Sequence, residues 1–281
     1  MKTMLSSWNR RRKLKKIKHQ LEVQVAASAS CRGAVTSKEI KEFFETIRLT
    51  PTKHDLCRIG SNGDGGYLLA NDLDGISACY SPGVSDEIDF DIELAQRGIA
   101  VHLADASVEP PEKMLPNMTF IKKFLGAKTE GKFITMEDWI AETNPGSEDL
   151  LLEMDIEGAE YAVLGETKES TLNRFRQIVI ELHNFDKIFQ RSNFEEIKSL
   201  LTRLQKNFVI IHLHHNNSLP IISSPVGPLS TVFEVTLLRR DRYVKNAQNP
   251  ILPHKLDEPN VAKHPDEVIP NFYAVSQTDL F

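Results

Sequence analysis

From Ile76 to Arg239 short apolar runs alternate with amphipathic, helix-like segments, and no other feature of the sequence limits the fold as tightly. The apolar runs are ISACY, IAVHLA, MTFIKKFLG, LLLEM, FRQIVIEL, FVIIHLHHN and STVFEVTLL. They are short, rich in β-branched and aromatic residues, and bounded by Gly, Pro, Asn or Asp, which predicts strands. Between them, SDEIDFDIELAQRG predicts a helix capped by Ser85, TMEDWIAET one capped by Thr135, GAEYAVLGE a third, and NFEEIKSLLTRLQ one capped by Asn193. Strands and helices alternating at this spacing form βαβ units, hence an α/β fold: a mainly parallel sheet covered on both faces. The last two strands are joined by NSLPIISSPVGPL, which has no helical period, so an antiparallel strand is expected at the sheet edge.

Three regions are expected: residues 1–36 as a basic extension and linker, 37–245 as the folded domain, and 246–281 as a Pro-rich tail. SKEIKEFFETIR predicts a helix in front of the sheet, capped by Ser37 with Glu39 in its first turn. RIGSNGDGGYLLA is a Gly-rich turn feeding a short strand, Tyr67 to Ala70. Residues 1–20 hold eight Lys or Arg and no acid, leaving 26 basic against 39 acidic residues, a net of −13, in the remainder. So acidic a body argues against nucleic acid as a partner. The basic head suits either a solvated tail or peripheral contact with a membrane surface, since Met4, Trp8, Leu14, Ile17 and Leu21 fall roughly along one helical face. No apolar run reaches membrane-spanning length, and no secretory leader stands at the N-terminus. Cys31, Cys57 and Cys79 have no metal-like spacing, so free thiols in a reducing, cytoplasmic setting are expected.

In an open α/β sheet, ligands bind beyond the carboxyl ends of the strands, where the strand order reverses. Those ends carry Ser81-Pro82-Gly83, Asp105, Leu125-Gly126, Asp155 and Glu181-Leu182-His183. The first strand–turn–helix, SPGVSDE, lacks G-x-G-x-x-G and sets acids where a pyrophosphate would lie, which argues against NAD or FAD. Asp105 stands 22 residues after Gly83, the place of a carboxylate that binds ribose hydroxyls. A nucleoside carrying a cation and no phosphate meets both conditions, and S-adenosylmethionine is such a ligand. The alternative for Asp155 is a plain cap on the next helix.

Six blocks in order, GDGGYLL, YSPGVSDEIDFDIELAQRG, VHLADAS, LEMDIEGAEYAVL, VIELHNF and HLHHNN with FEVTLLRR, resemble the FkbM-type methyltransferases, closest to a subgroup with an Asp-Gly-Gly-Tyr block. The resemblance covers roughly residues 55 to 240 and implies a class I methyltransferase, Rossmann-like fold. It also implies methyl transfer from S-adenosylmethionine, usually to a hydroxyl of a sugar, polyketide or similar acceptor. On that basis Ser81, Gly83 and Asp86 would line the methionine end, Asp105 the ribose, and Leu125 and Gly126 the adenine, with Asp155 near the sulfonium and the acceptor.

A hydroxyl is a weak nucleophile that must lose its proton as it attacks, so a base at the rim is expected. Asp155 and Glu157 are the carboxylate candidates, and His183 or His212 would orient or deprotonate the acceptor. Glu160 fits a structural role at a helix N-terminus. A divalent metal activating the acceptor oxygen is the other route, but none is expected. Two alternatives stand beside an O-methyltransferase acting on a glycan or small hydroxylated metabolite. One is a catalytically silent cofactor-binding interaction module; the other is an RNA methyltransferase anchored by the basic N-terminus.

Overall fold

The computed structural model describes residues 34–266, apart from 86, 145, 220, 225, 226 and 247–249. The basic head and its membrane-contact expectation, the position of Cys31, and that of Asp86 therefore lie outside the described residues. Among the described residues no helix is long and apolar enough to cross a membrane.

Seven strands form the central sheet. In chain order they are β3 (Ile76–Pro82), β4 (Ala100–Ala104), β5 (Met118–Ile121), β8 (Asp149–Met154), β9 (Phe175–Leu182), β10 (Phe208–Asn216) and β13 (Val232–Arg239). Across the sheet the order is β10-β13-β9-β8-β3-β4-β5. The pairs from β5 to β9 are parallel, while β13 runs antiparallel to both its neighbours. The antiparallel strand therefore lies one place in from the edge rather than at it. The chain makes β10 at the rim and returns through residues 217–231, which carry the small antiparallel pair β11 (Ile222–Ser224) and β12 (Gly227–Leu229), to insert β13 beside β9. The outer side of β10 is partly covered, because the Thr50 amide donates to the Ile210 carbonyl at 2.7 Å. The sheet is therefore mainly parallel with a single reversed strand.

Both faces are covered, as the apolar stretches Leu150–Leu152 of β8 and Ile178–Ile180 of β9 require. On one face α1 (Ser37–Thr46), α3 (Met136–Thr143), α4 (Glu160–Glu166), the short α5 (Glu169–Leu172) and α6 (Arg191–Leu204) enclose a core with Tyr80, Trp139, Phe175, Phe185 and Phe194 at its centre. On the other, α2 (Asp89–Gln96) packs Phe90 and Leu94 against Cys79, Val101 and Leu151. That second face is extended by the hairpin β1 (Leu56–Gly60) and β2 (Gly66–Ala70), the Gly-rich stretch of the sequence. The hairpin is bolted to the sheet by polar side chains. Gln177 bonds both the N–H and the C=O of Ala70 at 2.8 and 3.0 Å, and Thr236 donates to the Leu68 carbonyl at 2.7 Å.

Several predicted boundaries move for local reasons. The cap of α1 is Thr36, which forms a reciprocal capping box with Glu39, since the acid must sit three residues after the cap. Ser85 does not cap α2. Its hydroxyl instead accepts from the Glu87 amide at 3.1 Å, and the helix starts at Asp89. Thr135 caps α3 as expected. α6 follows a 3₁₀ turn (Phe185–Phe189) and starts at Arg191 rather than after Asn193, with Arg191 bridged to Glu39 at 2.7 Å. MTFIKKFLG is not one strand. β5 stops at Ile121, and β6 (Phe124–Leu125) leaves the sheet to pair with β7 (Phe133–Ile134).

Candidate active site at the carboxyl rim

The strand order turns at β3: the chain builds outward through β4 and β5, then crosses to β8 on the other side. The crevice lies there, and Gly83 and Asp155 meet in it. A β-carbon on Gly83 would stand 1.7 Å from the Asp155 carbonyl oxygen, and Gly83 has φ +100°. Only glycine permits this approach and this backbone. Asp105 ends β4 on the same rim, its amide bonded to the Ile121 carbonyl at 3.2 Å. Its Oδ1 takes both the amide and the hydroxyl of Ser107, at 2.6 Å each, which fixes the carboxylate.

The stretch Asp155-Ile-Glu-Gly-Ala-Glu160 is a tight turn organised by its last residue. Glu160 is fully buried, and its Oε1 accepts from the amides of Ile156 (3.2 Å) and Gly158 (3.1 Å). The same oxygen lies 3.0 Å from His183 Nδ1. His183 is further held through its carbonyl, which accepts from the Tyr161 hydroxyl at 2.9 Å. Its other nitrogen, Nε2, lies 3.6 Å from Asp155 Oδ1. That oxygen is buried and receives no hydrogen bond among the described residues. Burial raises the Asp155 pKa to about 7, opposed by the positive charge of His183 and assisted by Glu157, Glu160 and Asp64. For His183, burial disfavours the cation, but the Glu160 bond and the charges of Asp155, Glu160 and Glu157 outweigh it and raise the pKa to about 9.

Beneath this rim a row of acids crosses the sheet. Glu153 accepts from Ser81 Oγ at 2.8 Å. Glu181 accepts from Tyr67 Oη at 2.9 Å and, more weakly, from Asn216 Nδ2 at 3.3–3.4 Å. Glu234 stands directly across from Glu181 in the register of β9 and β13. Burial, then the neighbouring acids Asp155, Glu234 and Asp64, push the Glu181 pKa well up; burial with Asp91 and Asp155 does the same to Glu153. At the opposite ends of the strands the charges balance. Asp149 is bridged by Arg176 (2.8 Å) and Arg239 (2.7 Å), and Asp72 by Arg242 (2.6 Å). The carboxyl rim is thus the acid-rich end of the sheet, suited to a cationic ligand.

The sequence-predicted residues divide. Gly83, Asp105, Asp155 and His183 share the rim. Ser81 lies under it with its hydroxyl committed to Glu153. Leu125 is a buried core side chain beside Ile134, and Gly126 packs against Phe133, so neither offers a side chain to a ligand. Glu157 is exposed, at φ +59°, on the outside of the turn. His212 is elsewhere: its Nε2 is 2.9 Å from Asp257 in the C-terminal segment, because its strand position lies four residues before the rim residue Asn216. Glu181 and Tyr67 are the residues the sequence did not single out. Glu181 was visible as an acid inside an apolar strand, which buries a carboxylate only for a reason.

Other C-terminal residues also close over this end. Asn260 donates to Glu234 at 2.6 Å and its carbonyl accepts from the Asp64 amide at 3.3 Å. Asn217 bonds the Val261 amide at 2.8 Å. The Gly-rich turn containing Asp64 is thereby fixed over the site.

Residues 127–210 match the family model described as the methyltransferase FkbM domain. The matched stretch includes Asp155, Glu160, Glu181 and His183 but not the Asp-Gly-Gly-Tyr block. None of the curated proteins matches the chain. Among solved structures it is similar to a chain of a fibrillarin/Nop5p complex, at 16% identity and a TM-score of 0.37, over 59% of this chain and 74% of that one.

Proposed function

We propose, from the match of residues 127–210 to the FkbM methyltransferase model, that the chain transfers a methyl group from S-adenosylmethionine to a hydroxyl of a glycan or small hydroxylated metabolite. The donor set fits that cofactor. Asp105 keeps Oδ2 free of bonds among the described residues while Ser107 holds Oδ1, the arrangement a ribose diol needs. Gly83 lets the backbone approach closely, and the undonated Asp155 Oδ1 faces the same crevice. When bound, S-adenosylmethionine supplies a methyl group on a positively charged sulfur that is already a good leaving group.

The protein's part is alignment and removal of the acceptor's proton. Asp155 is the proton acceptor, with a pKa raised to about 7, near the pH at which a general base works best. His183 is its positioning partner and counter-charge. Glu160 fixes the imidazole from the far side, so Nε2 is presented to Asp155. The acid-rich rim disfavours phosphorylated or carboxylated acceptors and leaves neutral hydroxylated ones.

The observation that carries this reading is the buried, undonated Asp155 oxygen at the point where the strand order reverses, one strand from Asp105's neighbour β3. Titration of the full chain with S-adenosylhomocysteine by calorimetry tests it. Binding is expected in the wild type and a loss of roughly tenfold or more in Asp105→Ala, the two ribose hydrogen bonds being removed. Unchanged affinity would refute the ribose role, and no binding at all would refute the cofactor.

A further inference from the structure

One ligand atom each from Asp155, Glu181 and His183 lies within 4.8 Å of the other two. Donors around a single Mg²⁺ or Mn²⁺ at about 2.1 Å stand about 3–4 Å apart, so a small closure of this group would make it a coordination set. Two of the three are already oriented by other residues. Glu160, with no exposure, holds His183 Nδ1 at 3.0 Å, which leaves Nε2 to face the group. Histidines that bind metals commonly give their other ring nitrogen to a carboxylate in this way. Tyr67 and Asn216 hold Glu181 from behind, and Asp155 Oδ1 has no donor among the described residues.

Charge points the same way. Glu181 faces Glu234 across the strand pair, and like charges opposed in a sheet repel. Asp64 and Asp155 add to the same field. His183 is the one basic side chain within the group, and a bound cation would displace the proton from its Nε2, while the arginines of this sheet sit at its other end.

We propose that Asp155, Glu181 and His183 bind a divalent cation of the Mg²⁺ or Mn²⁺ type, and that the acceptor is an oxygen chelator of it, a vicinal diol such as a sugar offers. Two carboxylates with one imidazole form a hard, oxygen-rich set that suits these ions. Three protein ligands from one side leave positions open for two neighbouring hydroxyl oxygens. A cation held by Asp155 Oδ1 lowers the pKa of the hydroxyl it binds, and the proton passes to Asp155 Oδ2 as the oxygen–methyl bond forms and the sulfur–methyl bond breaks. The diol part rests on the methyl-transfer reading above; the cation site rests on the side-chain geometry.

The test is titration of the EDTA-stripped full chain with MnCl₂, following free Mn²⁺ by electron paramagnetic resonance. One ion per chain is expected, with affinity at least about tenfold weaker in Glu181→Gln and unchanged in the exposed control Glu109→Gln. If Glu181→Gln does not unfold cooperatively, Asp155→Asn, whose side chain is 36% exposed, supplies the same readout. No Mn²⁺ uptake at millimolar concentration, or uptake equal in the variants, overturns the proposal. Thermal shift with S-adenosylhomocysteine on the stripped protein separates the two claims. A shift without Mn²⁺ uptake removes the cation alone, and Mn²⁺ uptake with no shift removes the methyl-transfer reading while the cation site stands.

Discussion

Glu160 carries the largest structural demand in the site, since one buried carboxylate oxygen holds both the turn and the imidazole. Glu160→Ala leaves the amides of Ile156 and Gly158 without an acceptor, and leaves His183 Nδ1 only the Glu181 carbonyl at 3.1 Å. Each unsatisfied buried donor costs about 1–3 kcal/mol. Water entering the vacated space recovers part, so a loss of about 2–4 kcal/mol is expected. The turn is held in costly backbone, with Glu157 at φ +59° and Gly158 at φ +108°, so nothing local replaces the lost acceptor. Glu160→Gln keeps an oxygen of the same shape and gives up the charge, at a cost of about 1–2 kcal/mol. Urea unfolding followed by circular dichroism measures both. An alanine variant within about 0.5 kcal/mol of wild type, or a glutamine variant costlier than alanine, would refute the clamp.

Three further outcomes are expected. Asp155→Asn keeps the fold and binds S-adenosylhomocysteine, yet slows methyl transfer by roughly 10²–10⁴-fold in a radiolabel assay; retained turnover would remove it as the base. Gly83→Ala forces a β-carbon against the Asp155 carbonyl at φ +100°, so it should cost at least about 2 kcal/mol by thermal unfolding, and a neutral effect would contradict the close approach. Burial opposes the charge on His214, but Glu234 (3.0 Å), Asp266 (3.6 Å) and Asp257, all facing it alongside the stacked His212, raise its pKa to about 10. A raised histidine pKa stabilises the fold fully below about 6.5, and that contribution is lost as pH rises through about 10. The wild type should therefore lose stability across that window, with His214→Gln flattening the loss; parallel curves would refute it.

The sequence by itself determined the layered α/β fold, because strand and helix periods are local properties of the chain. It also determined which residues reach the rim, since a strand's last residue is written in the order of the letters. Asp105, Asp155 and His183 were legible on that ground, and so was the turn at Gly83. Capping was half legible: Thr135 obeyed its own pattern, while Thr36 displaced Ser37 through a reciprocal bond with Glu39. Tertiary structure decided the rest, because it depends on partners far apart in the chain. Tyr67 reaches Glu181 across 114 residues, and Asp257 claims His212 across 45. β13 slips between β9 and β10, setting Glu234 opposite Glu181. Glu160 became the keystone and Glu157 a solvent-facing residue because one turn, folded against His183, can bury only one of two similar acids.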